Sequence, residues 1–288
     1  MRIKNQYSAE FSQPLISVLV KYNIPYKTIT TFDPPIIKFS LYSDDSRRAE
    51  IEIELSSWNM IIPESVFTKA EYENATWFRF MPKYDKISPS DDGELTYSYF
   101  CKKADGTVDY DSTHQHQIGQ FRLKKTPRWM GERCILSAEG NYDHEWFTNE
   151  ATRQLMEGAG LSGFSFDSVL SERDGQPLSN VYQIAFENTL PEVAIVLGKE
   201  HGINSIVPCE NCGERRYYVC PQTYQLCLYD KYLGEQDVYM TQAVFGQGYG
   251  YHIVVGSKRF YSFIKENGLD KYFRIHPVRL IESKEQDI

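Results

Sequence analysis

Residues 149–161 read NEATRQLMEGAGL, and residues 257–269 read SKRFYSFIKENGL. Both stretches begin with a residue type that caps helix N-termini, and both end in Gly-Leu, which is typical of a helix stop. A run with strand character follows each, at residues 164–169 and 273–280. The pattern predicts two copies of a unit made of a short amphipathic helix, a glycine and a strand. Because this unit is common, either duplication or chance explains the likeness.

The chain before the first copy has mainly strand character. Ile51 and Ile53 alternate with glutamates, which is the two-residue period of a strand with one wet face. One helix is expected around residues 12–22, where a proline is tolerated in the first turn. We predict an α+β fold of largely antiparallel sheets with a few short helices, divided into a β-rich region 1–140 and a region 141–288 that bears the repeat. The runs with strand character are residues 36–42, 50–55, 76–81, 95–101, 117–124 and 134–138.

The charge of the chain is acidic and uneven. Its 31 basic and 39 acidic residues give a net charge of −8, and residues 141–257 hold 15 acids against 6 bases. Such a surface repels phosphate backbones and attracts basic partners, so nucleic-acid binding is disfavoured. The 21 tyrosines favour a protein-binding role, since aromatic residues are enriched at interfaces. The alternative is that the acids only solvate the surface.

Two features of the sequence predict the cellular compartment of the protein. The apolar run at residues 15–20 is too short for a membrane span and lacks the cleavage site of a signal peptide. Six cysteines in 288 residues are too few for a disulfide scaffold and indicate a reducing compartment. We therefore expect a cytoplasmic protein that does not associate with membranes.

The cysteines suggest a metal site. Cys209 and Cys212 form a Cys-x-x-Cys motif followed by Gly213, and two thiolates at this spacing can bind one zinc ion. Cys220 and Cys227 are the candidates for the two remaining ligands. Reduced thiols without metal and a redox-active dithiol are the alternatives.

Catalytic signatures are missing from the sequence. It contains no phosphate-binding loop, no Gly-x-Ser-x-Gly elbow and no His-Glu-x-x-His pair. We therefore expect a protein that is not an enzyme. A catalytic site assembled from dispersed histidines and carboxylates is the alternative.

Three segments resemble the double-CXXCG motif family of bacterial immunity proteins, which are encoded beside polymorphic toxins. They are FTNEATRQLMEGAGLSGFSF at residues 147–166, PCENCG at 208–213, and IVVGSKRFYSFIKENGLDKYFRIHPVRL at 253–280. The resemblance covers residues 140–282, and the chain has one Cys-x-x-Cys-Gly motif where the family has two. The resemblance implies that the protein binds one cognate toxin stoichiometrically and blocks it inside the cell that produces both. It also implies a role in competition between bacteria.

Acidic and aromatic residues in segments expected to be exposed loops are the candidate contacts for such a toxin. They are Asp91, Asp92, Glu94, Asp109, Tyr110, Asp111, Glu235, Asp237 and Tyr249. The alternative function is that of a zinc-ribbon-type protein that binds nucleic acid. Its basic segment would be RLKKTPRWMGER at residues 122–133, with Trp129 available for base stacking.

Overall fold

The computed structural model describes residues 1–55, 59–88, 97–98, 116–117, 119–138, 145–196, 203–208, 215–219, 225–245 and 251–282. It has the predicted α+β class, with five α-helices in these ranges and mainly antiparallel strand pairing. The chain forms two compact units. Unit 1 comprises Met1–Glu73 and Cys220–Gln225, and unit 2 comprises Asn74–Val219 and Leu226–Ile288.

Unit 1 is built around a four-stranded antiparallel sheet. Its strand order, β2-β3-β1-β4, and its alternation of helices and strands give the split βαββαβ topology of ferredoxin-like folds. Pro63 lies in the edge strand β4, where a missing backbone N–H is tolerated. The elements are β1 (Arg2–Glu10), α1 (Gln13–Lys21), β2 (Tyr26–Ile29), β3 (Ile36–Tyr42), α2 (Arg48–Ile53) and β4 (Asn59–Val66), followed by α3 (Lys69–Asn74).

The helices of unit 1 cover one face of its sheet. The predicted helix α1 is confirmed, and it begins at Ser12, whose side chain accepts a hydrogen bond from the Leu15 amide at 3.3 Å. Residues at alternate positions of β1 and β3 pack against the helices, with the rings of Tyr7 and Phe39 stacked at 4.7 Å. Because side chains alternate along a strand, the intervening residues lie on the opposite face.

The predicted strand at residues 50–55 is wrong, because Arg48–Ile53 form the helix α2. Ile51 is buried, whereas Ile53 is 78% exposed, so the two do not share a face as they would in a strand. Residues two apart on a helix point in nearly opposite directions. An ion pair between Arg48 and Glu52 at 2.7 Å has the i,i+4 spacing that supports a helix.

Unit 2 contains the remaining elements. The first half has β5 (Trp77–Pro82), β6 (Asp85–Ile87), β7 (Tyr97–Ser98), β8 (His116–Gln117), β9 (Arg122–Leu123), β10 (Ile135–Ala138), β11 (Trp146–Thr148), α4 (Glu150–Gly158), β12 (Phe164–Ser171), β13 (Pro177–Phe186) and β14 (Thr189–Leu190). The second half has β15 (Ile203–Pro208), β16 (Arg215–Val219), β17 (Cys227–Tyr229), β18 (Val238–Thr241), β19 (Val244–Phe245), β20 (Val254–Ser257), α5 (Lys258–Glu266), β21 (Phe273–Pro277) and β22 (Arg279–Ile281). Short 3₁₀ turns lie at Glu192–Ala194, Asp230–Tyr232 and Asp270–Tyr272.

Two larger sheets organise unit 2. One has the order β6-β10-β11-β13-β12-β9 and the other the order β14-β18-β20-β5-β21. The buried Trp146 of β11 contacts rings from both sheets, among them Phe186 at 5.1 Å and Phe273 at 4.7 Å between ring centroids. The boundary expected between residues 140 and 141 falls inside this unit, because β10 and β11 pair across it.

Both copies of the predicted helix–glycine–strand unit form. The side chains of Asn149 and Ser257 cap α4 and α5, and Gly160 and Gly268 follow the helices with φ angles of 61° and 66°. Their strands belong to different sheets, since β12 lies in the six-stranded sheet and β21 in the five-stranded sheet. The local unit is therefore repeated, whereas its surroundings are not.

Candidate functional site

A pocket of 390 Å³ opens on unit 2 where residues of β12 and β13 meet residues of β18. We call it the acid-lined pocket. Its polar lining residues come from separate parts of the chain, and Ile184, Ala185, Phe186 and Met240 add apolar surface. The polar members are Gln117, Glu145, Asp167, Gln183 and His252.

Strand pairing places the residues at the centre of this pocket next to each other. Asp167 of β12 lies directly opposite Gln183 of β13, and residues opposite each other in an antiparallel pair point to the same face. Glu145 immediately precedes β11, the other neighbour of β13. The site therefore depends on three adjacent strands of one sheet.

A buried amide holds one carboxylate in place. Gln183 is 3% exposed and Glu145 is 8% exposed, and the Gln183 side-chain amide donates a hydrogen bond to the Glu145 carboxylate. Gln117 and Gln183 also exchange hydrogen bonds between their side-chain amides, at 2.6 and 3.0 Å. A buried carboxylate needs such donors, because burial without them is costly. The network fixes Glu145 at the pocket wall.

The imidazole of His252 is oriented by the backbone. Its Nδ1 lies 2.8 Å from the carbonyl oxygen of Thr241. A carbonyl can only accept, so Nδ1 carries the proton and donates it to this bond. In the neutral ring Nε2 then keeps a lone pair and can accept a hydrogen bond.

The electrostatic character of the pocket is negative. Its described lining residues include two carboxylates, of which Asp167 is exposed, and none of them is Lys or Arg. Carboxylates pair most strongly with ammonium and guanidinium groups, and Arg can engage a carboxylate with two parallel hydrogen bonds. The pocket is thus suited to a cationic group.

Of the predicted toxin contacts, only Glu235 and Asp237 are among the described residues. Glu235 is exposed, as expected. The expectation of an exposed Asp237 is wrong, because this residue is 5% exposed and its carboxylate accepts hydrogen bonds from Ser257 and Arg259 at 2.8 and 2.9 Å. Asp91, Asp92, Glu94, Asp109, Tyr110, Asp111 and Tyr249 lie outside the described residues.

Of the four predicted metal ligands, Cys209, Cys212 and Cys220 also lie outside the described ranges. Cys227 is buried in β17, and burial raises the pKa of its thiol, which opposes formation of the thiolate that binds zinc. Within the described ranges, no three His, Cys, Asp or Glu side chains come together as metal ligands.

The basic segment at residues 122–133 is described. Lys125 and Arg128 are exposed, whereas Trp129 is partly buried, with its indole nitrogen out of solvent. The segment keeps its positive charge at the surface, but part of the ring that base stacking would use is covered.

The acid-lined pocket was not predicted from the sequence. Glu145, Asp167 and His252 carry no common motif, and the pairing of Asp167 with Gln183 depends on strand register. Comparisons with protein families, with curated proteins and with solved structures gave no match to this chain. In the described ranges no helix is long and apolar enough to cross a membrane.

Proposed function

We propose that this protein is an immunity protein that binds and neutralises one cognate bacterial toxin in the cytoplasm of the producing cell. It acts by stoichiometric protein–protein inhibition, without turnover, and the toxin is encoded next to it. The acid-lined pocket carries the proposal, and the resemblance of residues 140–282 to toxin-associated immunity proteins supports it.

The pocket receives a Lys or Arg side chain of the toxin. Binding hot spots are well-packed pockets at the centre of an interface, and Arg is enriched among them. Here the incoming cation would meet the Glu145 and Asp167 carboxylates, while Phe186 and Met240 contact its aliphatic stem. The acidic character of the whole chain would also speed encounter with a basic toxin.

A hydrolytic enzyme is the second candidate function. The observation in its favour is that one pocket holds Glu145, Asp167 and His252, which are side chains that can transfer protons. Among the described lining residues none is Ser, Thr, Cys or Lys, so catalysis here would use an activated water. Toxin destroyed at a substoichiometric ratio would indicate this enzyme, whereas one-to-one protection supports the inhibitor.

Co-expression with the neighbouring gene product tests the proposal. We expect toxicity without this protein, a stable complex on size exclusion, and protection at a one-to-one ratio. Asp167→Lys should weaken the complex about tenfold or more, because it places a like charge at a buried cationic contact. Glu266→Lys, an equal charge change at an exposed residue of α5, is the matched control.

Two outcomes distinguish the immunity function from the role of the acid-lined pocket. A neighbour that neither binds nor is toxic would overturn the immunity function. A complex that Asp167→Lys and Glu266→Lys affect equally would retain that function and remove the pocket from the interface. Charge reversal at Asp91, Asp92 and Glu94 should slow association if that segment also contacts the toxin.

Two further measurements address the cofactor and the alternative partner. Metal analysis of the purified complex tests whether Cys209 and Cys212 hold zinc, with Cys209→Ser as the control. An electrophoretic shift assay with single-stranded and double-stranded nucleic acid tests the basic segment at residues 122–133. A shift lost in Lys125→Gln and Arg128→Gln would favour the nucleic-acid-binding alternative.

A further inference from the structure

Unit 1 has a depression of 570 Å³ on the face of its sheet opposite the helices. We call it the lysine-lined depression. Its polar lining is basic and neutral, in contrast to the acid-lined pocket of unit 2, and Met60 and Ile62 add apolar surface. The polar residues that line the depression and could bind a ligand are Lys4, Gln6, Ser8, Lys27, Lys38 and Ser40.

Strand register arranges these side chains in rows across the sheet. Lys27 of β2 lies opposite Lys38 of β3, which in turn lies opposite Ser8 of β1. Like charges directly opposite each other in a sheet are destabilising. The Lys27–Lys38 pair therefore costs the sheet some stability, and an anion held between the two ammonium groups would relieve that repulsion.

The three lysines of the depression have no acidic partner in the part of the chain that the structure describes. No described Asp or Glu forms an ion pair with Lys4, Lys27 or Lys38. Other cations of unit 1 are paired: Lys21 lies 2.6 Å from Glu50, and Arg2 lies 2.8 Å from Asp44.

One acidic residue borders the depression. Glu64 of β4 lies opposite Lys4, and its carboxylate accepts a hydrogen bond at 2.7 Å from the side chain of Gln6, which also lines the depression, without forming an ion pair with Lys4. Three lysines that have no acidic partner among the described residues thus surround one concavity in a protein whose net charge is −8. Their positive charge is a local feature of this face and does not follow from the composition of the chain.

We propose that the lysine-lined depression binds a small phosphorylated ligand of the nucleoside-phosphate class. Phosphate oxygens would accept hydrogen bonds from the lysine ammonium groups and from the hydroxyls of Ser8 and Ser40. Met60 and Ile62, which are 49% and 37% exposed, would contact the base. The volume lies within the range of small-molecule sites. This site is distinct from the acid-lined pocket and goes beyond toxin binding.

Calorimetric titration of the full chain at low ionic strength tests the site. ATP is the main probe, and inorganic phosphate and a short oligothymidylate are run in parallel. We expect ATP to bind and inorganic phosphate to compete weakly, since phosphate lacks a base for Met60 and Ile62. The Lys27→Gln/Lys38→Gln variant should bind ATP about tenfold or more weakly, because it loses two charge-assisted contacts.

Lys21→Gln/Lys69→Gln is the control with the same change in charge, because both are exposed lysines of unit 1 whose side chains lie outside the depression. Thermal unfolding of each variant verifies that the fold is retained. Absence of ATP binding, or equal binding by the Lys27→Gln/Lys38→Gln variant and the control, would overturn the proposal. Binding of oligothymidylate without ATP would also overturn it, and would assign the face to nucleic acid.

Discussion

Asp237 and Arg259 form an ion pair, with 2.9 Å between Oδ2 and Nη1, that connects the two copies of the helix–glycine–strand unit. Arg259 belongs to α5, and its Nη2 also donates to the carbonyl oxygens of Ala159 and Gly160, both at 3.0 Å, where α4 ends. Asp237 in turn accepts a hydrogen bond from Ser257, the residue that caps α5. The C-terminal end of α4 in the first copy and the N-terminal end of α5 in the second are therefore held by the same ion pair.

Replacing Asp237 with Ala should destabilise unit 2. The buried carboxylate satisfies donors from Ser162, Ser257 and Arg259, so its loss should lower the free energy of unfolding by about 2 kcal/mol. Urea unfolding measures the change. Glu235→Ala, an exposed neighbour, should change it by less than about 0.5 kcal/mol. Equal effects of the two variants would show that the connection contributes nothing to stability.

Two glycines should respond to alanine in opposite directions. A Cβ at Gly256 of β20 would lie 2.5 Å from Phe260 Cδ1 and 2.7 Å from Phe80 Cε2, and both rings are buried. Overpacking of this kind costs about 1–3 kcal/mol. Gly158 lies in α4 with nothing within 4 Å of a Cβ, so Gly158→Ala should stabilise the protein by about 0.5–1 kcal/mol. Thermal melts of both variants measure the sign, and shifts of the same sign would contradict this packing.

Features that depend on neighbouring residues could be predicted from the sequence. The helix α1 and the two capped helices were predicted correctly because a cap such as Ser12, Asn149 or Ser257 acts within one turn. Features that depend on distant residues could not. Asp237 follows Gly234 in a polar segment that is typical of a loop, and its burial depends on Ser162 and the start of α5.

The acid-lined pocket could not be predicted from the sequence for the same reason. Asp167 and Gln183 face each other because β12 and β13 pair in one register, and no local signal specifies that register. A shift of one residue would turn both side chains to the other face of the sheet. The strand predicted at residues 50–55 failed for a different reason, since three alternating positions are too few to distinguish a strand from a helix supported by the Arg48–Glu52 ion pair.

Ile51 and Ile53 test that corrected assignment. In α2 only Ile51 is buried, so Ile51→Ala should lower the free energy of unfolding of unit 1 by about 2–4 kcal/mol. Ile53→Lys should be tolerated within about 0.5 kcal/mol, because that side chain is 78% exposed. Chemical denaturation compares the two variants. A large loss with Ile53→Lys would indicate that both residues share a buried face, as in a strand.

His276 should make stability depend on pH. It lies in β21 opposite Arg79, and burial, together with the charges of Arg79 and Arg274, lowers its pKa from 6.5 to about 4. Below pH 6.5 the unfolded chain binds a proton here that the folded chain does not bind until about pH 4. The stabilisation that accompanies the neutral ring is therefore present in full above pH 6.5 and is lost as the pH falls towards 4.

Replacing His276 with Gln removes this titration. The free energy of unfolding of the natural protein should fall by as much as about 3 kcal/mol more than that of His276→Gln between pH 7 and pH 4. Urea midpoints at several pH values measure the two slopes. The carboxyl groups titrate in both proteins, so the difference between the slopes isolates the histidine. Parallel slopes would show that His276 has the same proton affinity in the folded and unfolded chain, and that its burial beside Arg79 has no electrostatic consequence.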